Sequence, residues 1–144
     1  MKIRLLKPSD IPQASKIVGL NYSPKYEKSS FKEMEAMSKN YVVNPQYLVA
    51  EEKGKIVGLA WYIQSRMDYN IYNILRVNVS PLRQGKWIGT QLIQKIIGSI
   101  KKKKWKMILL TTTKPKFYSK KFGFKSLKKF NSNKNDLMFL SLEK

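Results

Sequence analysis

The feature that most constrains the fold is the change of pattern between residues 77 and 90, where a strand passes through a glycine-containing loop into a helix. The segment from Tyr69 to Val79 is rich in aromatic and β-branched residues, and Pro81 removes an amide donor, so a strand is expected to end there. Beyond the loop, apolar residues recur at the helical period at Ile88, Leu92, Ile93, Ile96, Ile97 and Ile100. This stripe predicts a helix from Ile88 to about Ile100 with one face buried.

The loop between this strand and this helix has the chemistry of a phosphate cradle. Gly85 and Gly89 lie close to the helix start, where backbone N–H groups have no helical partner and the positive end of the helix dipole lies behind them. An ordinary connecting loop is the alternative, because short glycine motifs occur by chance. A Walker loop, which needs Gly-Lys followed by Ser or Thr, and a Rossmann turn, which needs a third glycine, do not match.

The loop resembles the acetyl-CoA signature of the GNAT superfamily of N-acetyltransferases: Gln or Arg, two residues, Gly, one residue, then Gly or Ala. The segment 84–89 takes that register, and residues 79–81 match the family's Val-x-Pro approach. Trp87 departs from the pattern, since the family has glycine there. A tryptophan backbone can still donate its amide if φ stays negative, with the indole either covering the adenine or packing on the helix.

The resemblance implies that acetyl-CoA is the acetyl donor. No metal is expected, since the chain has neither Cys nor His to bind one. In the family, two parallel strands separate, and the pantetheine arm lies between them, hydrogen-bonding to one of them like an added strand. The cofactor-binding residues predicted in this way are Val77, Asn78, Val79, Gln84, Gly85, Lys86, Trp87, Ile88, Gly89 and Thr90.

A second motif, at 114–124, resembles the family's other signature, a short helix with Phe-Tyr followed by Gly-Phe. Pro115 fits the first helical turn behind a Thr113 cap, and Gly123 fits a left-handed helix end. In the family the tyrosine hydroxyl lies near the cofactor sulfur. Tyr118 takes this position and is the predicted catalytic residue, since an ordinary pKa of about 10 keeps it protonated as a general acid. A core tyrosine is the alternative.

Acetyl transfer by direct attack in a ternary complex needs an uncharged primary amine, a group that stabilises the oxyanion, and protonation of the thiolate. The resemblance implies that the backbone amide near Val79 polarises the thioester carbonyl. Many relatives carry a glutamate where this chain has Asn73, which cannot accept a proton. Deprotonation through ordered water is therefore expected, with Glu33, Glu35 and Asp68 as candidate carboxylates.

Composition and charge limit the chemistry and the partners. The chain has no Cys and no His, which excludes disulfides, thiolate or imidazole ligands and histidine-based triads. Its 29 basic and 9 acidic residues give a net charge of +20, which favours anionic ligands or nucleic acid, although lysines that merely solvate the surface are the alternative. No leader and no membrane-spanning run is present, so a cytoplasmic protein without a membrane partner is expected.

The order of the remaining patterns predicts an α/β (α+β) chain with a GNAT-like fold, a mixed central sheet of about seven strands flanked by about four helices. We expect one domain over residues 1–144. The first helix follows Ser9 or Asp10, and the second begins at a capping box of Ser30 and Glu33. Glu51 and Glu52 are expected to be solvated near a hairpin turn. The predicted strands cover 1–7, 47–50, 56–64, 69–79, 105–111, 124–130 and 137–142.

Three functions remain open. An acetyl-CoA-dependent N-acetyltransferase explains both motifs and the order of elements. A basic nucleic-acid-binding protein on the same fold would explain the charge, and a non-catalytic acyl-CoA sensor would explain Trp87 and Asn73. Because the charge repels polyamines and Lys-rich tails, the expected acceptor is a small amine, a protein N-terminus or a group attached to RNA. A monomer or a homodimer is expected.

Overall fold

The computed structural model describes residues 1–37, 46–127 and 135–142, over which the chain forms seven strands and four α-helices. Their bounds are β1 Lys2–Leu5, α1 Ile11–Asn21, α2 Pro24–Met37, β2 Gln46–Glu52, β3 Lys55–Gln64, β4 Ile71–Val79, α3 Ile88–Lys101, β5 Met107–Thr112, α4 Pro115–Phe122, β6 Lys125–Ser126 and β7 Asp136–Ser141. This confirms the predicted seven-stranded mixed sheet with four helices. None of these helices has both the length and the apolar character that a bilayer span requires.

The seven strands form one sheet in the order β1-β2-β3-β4-β5-β7-β6, in which only β4 and β5 run parallel. A parallel pair needs a crossover connection, which α3 provides. The pairing of β4 with β5 covers only Ile71–Asn73 and Met107–Leu109, whereas β4 continues to Val79. The two strands therefore separate beyond Asn73, as the family resemblance implies.

A bulge in β4 accounts for this separation. Between the pairs Trp61–Leu75 and Leu59–Asn78, β4 contains one residue more than β3. Arg76 lies in this interval with a φ of +50°, in the left-handed region that a residue with a side chain rarely adopts. A bulge bends the strand that carries it and increases its twist, which turns the end of β4 away from β5.

The sheet separates two apolar cores. On one face α3 buries all six residues of the predicted stripe. On the other face α1 and α2 cover the sheet with Ile11, Ala14, Ile17, Val18 and Met34. Adjacent β2 residues alternate between the cores, with Leu48 in the first and Val49 in the second, as the period of a strand requires.

The predicted start of the second helix at Ser30 is wrong. α2 begins at Pro24, whose fixed φ suits the first helical position, and the Ser23 carbonyl accepts the amide of Glu27 at 3.1 Å. Ser30 and Glu33 have capping-box spacing but lie inside the helix, where the Ser30 hydroxyl donates to the Glu27 carbonyl at 3.0 Å. The end of the strand predicted over 124–130 lies outside the described residues.

Arg4 binds the carboxylates of Asp10 and Glu51, for which the sequence predicted other roles. Asp10 precedes α1, but its carboxylate accepts from Arg4 at 2.7 Å instead of capping the helix. The hydrogen bond from Arg4 lowers the pKa of Asp10. Arg4 also donates to Glu51 at 3.1 Å, and Glu52 pairs with Arg83 at 2.9 Å, so both glutamates form ion pairs instead of being merely solvated.

Gly58, which packs against α3, and Gly98, which belongs to α3, provide a matched test of how this helix packs on the sheet. A Cβ on Gly58 of β3 would lie 3.0 Å from Ile88 and 3.2 Å from Leu92, whereas a Cβ on Gly98 would meet nothing within 4 Å. We expect Gly58→Ala to cost about 1–3 kcal/mol through overpacking, and Gly98→Ala to gain about 0.5–1 kcal/mol through helix propensity. Urea unfolding of both variants checks this, and equal effects would contradict the close packing of α3 on β3.

Candidate active site

The site is built around the half of β4 that β5 does not pair. The Ser80 amide donates to the Val57 carbonyl of β3 at 2.8 Å, which fixes the direction of the strand's hydrogen-bonding groups. Because these directions alternate along a strand, the backbone of Asn78 also points toward β3, and those of Val77 and Val79 point into the gap. Of the three predicted β4 residues, two therefore present backbone groups where a ligand can lie between the strands.

Asn78 is nevertheless part of the site through its side chain, which is only 4% exposed. Its Oδ1 accepts from Asn21 Nδ2 at 3.1 Å, and the same amide group of Asn21 donates to the Val79 carbonyl at 3.0 Å. Gln84 Nε2 donates to Asn21 Oδ1 at 3.1 Å and to the Val79 carbonyl at 3.2 Å. This network ties the end of α1, the end of β4 and the loop together.

Asn21 is a site residue that the sequence did not single out. It is the last residue of α1 and lies 63 residues before its partner Gln84. No motif marks it, since only the packing of α1 against the end of β4 brings the two amides together. Gln84, a predicted cofactor-binding residue, uses its side chain to hold the protein's own loop.

Within the described ranges, the amides in the first turn of α3 have no hydrogen-bond partner. The first helical hydrogen bond runs from the Gln91 amide to the Trp87 carbonyl at 3.0 Å, and no side chain caps the helix. The amides of Ile88, Gly89 and Thr90 therefore precede the helical ladder, at the positive end of the dipole. Gly85 has a φ of +83° and turns the loop, which explains a glycine there.

The condition under which the Trp87 amide could still donate, a negative φ, is not met. Its φ is +67°, in the region where the family's glycine carries no penalty and an L-residue costs about 1–2 kcal/mol. The turn from the loop into α3 imposes this conformation, and tryptophan adopts it at that cost. The indole is 62% exposed and contacts Lys121 of α4, whose Nζ is 3.5 Å from the ring centroid.

Gly89 lies where α3 approaches β4 closely. A Cβ there would lie 3.6 Å from Val79 Cγ2 and 3.9 Å from Val77 Cγ1, which is ordinary contact. A side chain longer than alanine would extend into the space in front of the two valines. The absence of a side chain at Gly89 therefore lets the start of α3 lie close to the end of β4.

Tyr118 lies in α4, which follows β5, and belongs to the apolar core that α3 covers. The tyrosine is 8% exposed and packs edge-to-face on Phe117 and Phe124, with centroid distances of 5.1 and 5.9 Å. Burial raises the pKa of Tyr118 to about 12. The hydroxyl therefore stays protonated over the whole physiological range.

The ends of α4 confirm one prediction and correct another. Gly123 has a φ of +79° and ends the helix as expected, with its amide donating to the Ser119 carbonyl at 3.1 Å. The predicted Thr113 cap is wrong, since the residue before the helix is Lys114. The Lys114 amide donates to the Thr112 hydroxyl at 2.9 Å, so the hydroxyl that supports this turn comes one residue earlier.

The candidate carboxylates are distributed unequally around the site. Glu33 accepts from Arg76 at 2.8 Å and from the Tyr47 hydroxyl at 3.4 Å, so it lies beside the bulge of β4. Asp68 pairs with Lys106 before the start of β4, about 26 Å of strand away from Val79. Asp68 therefore lies farther along the chain from the unpaired half of β4 and is held by Lys106.

Asn73 forms the last pair of β4 with β5 and lies where the gap begins. Glu35, two positions after Glu33 on α2, is exposed. Over residues 1–37, 46–127 and 135–142, Asp, Glu, His and Cys side chains form no group of three or more that could hold a metal ion.

A cavity of about 150 Å³ opens beside the unpaired half of β4. It is lined by Tyr22, Tyr26, Arg76 and Asn78, and the two tyrosine rings have centroids 5.6 Å apart. A larger cavity of about 470 Å³ lies at the other end of α3, against β1 and β2, and is lined in part by Lys95, Lys102 and Lys103. Only the smaller cavity shares residues with the gap.

The sequence and the fold both match known proteins. The family model of the acetyltransferase (GNAT) domain matches residues 44–126, which contain both motifs. A GNAT-family protein from Desulfovibrio desulfuricans superposes with a TM-score of 0.82 at 17% identity, over 97% of this chain and 98% of that one. The aminoglycoside 6′-N-acetyltransferase from Enterococcus faecium gives 0.77 at 18% identity, over 98% and 97%.

A GNAT-family acetyltransferase from Brucella melitensis, solved in complex with acetyl-CoA, gives a TM-score of 0.74 at 22% identity, over 99% of this chain and 88% of that one. At these identities the structural likeness shows the fold. No curated protein has a significant match to the sequence.

The raised pKa of Tyr118 predicts a pH dependence of stability. The pKa of Tyr118 is about 12 in the folded protein and about 10 in the unfolded chain, so folding favours the neutral hydroxyl. The stability that this preference contributes is complete below about pH 10 and is lost as the pH rises toward 12. Between about pH 8 and 11, wild type should lose about 1.4 kcal/mol relative to Tyr118→Phe. Urea unfolding at both pH values measures it, and parallel losses in the two proteins would show that the pKa is not raised.

Proposed function

This chain belongs to the GNAT family of acetyltransferases, and on that premise we propose that it transfers the acetyl group of acetyl-CoA to a primary amine by direct attack in a ternary complex. The observation that carries the proposal is the separation of β4 from β5 beyond Asn73, with the unpartnered amides of α3 at its mouth. An extended ligand could pair with the free edge of β4. Its phosphates could then bind the N–H donors at the start of α3.

The residues present fit acetyl-CoA at both ends of this path. The gap-facing backbone groups of Val77 and the amide of Val79, whose carbonyl already accepts from Asn21 and Gln84, would hydrogen-bond the pantetheine arm. The first-turn amides of α3 would hold the pyrophosphate. Gly89 leaves the passage between them open, because a longer side chain would fill the space in front of the valines. Bound acetyl-CoA supplies the activated acetyl thioester.

In the proposed reaction the amine nitrogen attacks the thioester carbonyl carbon, the carbon–sulfur bond breaks, and CoA leaves as a thiolate. A gap-facing backbone amide of β4 near Val79 would stabilise the oxyanion. The pKa of the Tyr118 hydroxyl is about 12, whereas a thiol has an ordinary pKa of about 8.5. Transfer of the hydroxyl proton to the thiolate is therefore unfavourable. We therefore assign Tyr118 the role of a neutral hydrogen-bond donor that stabilises the leaving sulfur.

The acceptor amine is assigned to the cavity lined by Tyr22, Tyr26, Arg76 and Asn78, because two of these residues belong to the unpaired half of β4. Its volume of about 150 Å³ suits a small amine or the end of a chain. The faces of the two tyrosine rings attract an ammonium ion before it loses its proton. Glu33 is held by Arg76, so the attacking amine would pass its proton to ordered water.

Substitution of Tyr118 tests the proposed role of its hydroxyl. Tyr118→Phe should lower kcat about 10- to 150-fold, the value of a hydrogen bond to a charged group, and leave the Kd of acetyl-CoA unchanged. Thiol release with the best acceptor from a panel of primary amines gives kcat, and calorimetry gives Kd. Tyr62→Phe is the control, since Tyr62 is a buried tyrosine of the same core that lines the other cavity. An unchanged kcat in Tyr118→Phe would contradict the role.

Two substitutions on α3 test the path of the cofactor. Gly89→Leu should weaken acetyl-CoA binding at least about 100-fold, since the side chain would take the space required by the ligand. The same substitution at Gly98, which is exposed near the other end of the helix and has nothing within 4 Å of its Cβ position, should leave the Kd unchanged. Calorimetry compares the variants, and retained binding in Gly89→Leu would mean that the cofactor lies elsewhere.

A further inference from the structure

Trp87 contributes little to stability in the ways that an aromatic residue normally does. Its indole is 62% exposed, and its left-handed φ of +67° costs about 1–2 kcal/mol relative to glycine. Neither the backbone conformation nor burial explains a tryptophan here. The contact that distinguishes its side chain is with Lys121 of α4, whose Nζ lies 3.5 Å from the ring centroid.

Among the described residues, the side chains that the Lys121 ammonium contacts are the aromatic rings of Trp87 and Phe117. In the described part of the chain, no carboxylate forms an ion pair with it. The Lys121 ammonium lies over Trp87, the residue that precedes α3, so its charge faces the positive end of that helix dipole. Lys86 in the same loop adds a second positive charge. An anion bound at this point would relieve the repulsion.

The C-terminal dipole of α4 does not explain this placement. It favours cations in the last turn of the helix, which contains both Lys120 and Lys121. Of these two, Lys121 is the one whose ammonium lies on Trp87, and its Nζ is also 5.7 Å from the Phe117 ring. The ring faces one side of the ammonium, and an ammonium has three N–H donors, so donors remain for oxygen ligands.

We infer that Lys121 is a phosphate-binding residue of the acetyl-CoA site and that Trp87 positions it over the loop. The inference rests on the proposed acetyl-CoA site and adds to it a charged residue from α4. Amides of α3 supply directional donors, and Lys121 supplies the full positive charge and a charge-assisted hydrogen bond. The indole therefore takes over a positioning role at the place where the family has glycine.

Calorimetric titration with CoA, dephospho-CoA and pantetheine tests the inference. Lys121→Met should weaken CoA binding about tenfold or more, and the matched variant Lys120→Met should change it less than about twofold. Pantetheine, which lacks phosphate, should bind equally to all variants. A loss that persists with dephospho-CoA assigns the contact to the pyrophosphate, and a loss confined to CoA assigns it to the 3′-phosphate.

The role of Trp87 is tested by combining substitutions. In a Trp87→Gly background, Lys121→Met should have an effect at least about threefold smaller than in wild type, because the ring no longer holds the ammonium. An undiminished effect would contradict the positioning role.

Equal effects of Lys121→Met and Lys120→Met, or none for Lys121→Met, would overturn the phosphate contact while leaving the acetyl-CoA site intact. Failure of wild type to bind CoA would overturn the site itself, and with it the role of Lys121.

Discussion

The pairing of β4 with β5 ends after three residues on each strand, and the candidate site depends on this early end. A parallel pair in the interior of a sheet normally satisfies its backbone groups along its whole length. Here the bulge at Arg76 bends β4, and the outward groups of Val77 and Val79 face a gap instead of a strand. α3, which connects the two strands, then begins at the mouth of that gap.

Of the three non-glycine residues with a left-handed φ in the described part of the chain, two lie at this gap, and the third, Lys53, lies in the turn between β2 and β3. Arg76 and Trp87 both have a left-handed φ, one at the bulge of β4 and the other at the start of α3. Such conformations cost free energy and persist only where the surroundings determine them. The hydrogen bonds that join Asn21, Asn78, Val79 and Gln84 provide such surroundings, since they fix the end of β4 to α1 and to the loop.

The sequence predicted what local periodicity and contiguous motifs determine. The six apolar residues of α3, the end of β4 near Pro81 and the left-handed Gly123 all follow from short-range rules, and both motifs lie where the resemblance put them. The φ of Trp87 could not be predicted from its own side chain, because the turn between β4 and α3 imposes it. Asn21 was missed for a related reason, since its partners are 57 to 63 residues away in the chain.

Amide hydrogen exchange measured by NMR, with and without saturating CoA, tests the central claim most directly. The account predicts that exchange at the Val77 and Val79 amides slows when CoA is bound, because the pantetheine arm pairs with them. The Asn78 amide, which already faces β3, should not change. If CoA binds while Val77 and Val79 exchange at unaltered rates, the gap between β4 and β5 is not where the cofactor lies.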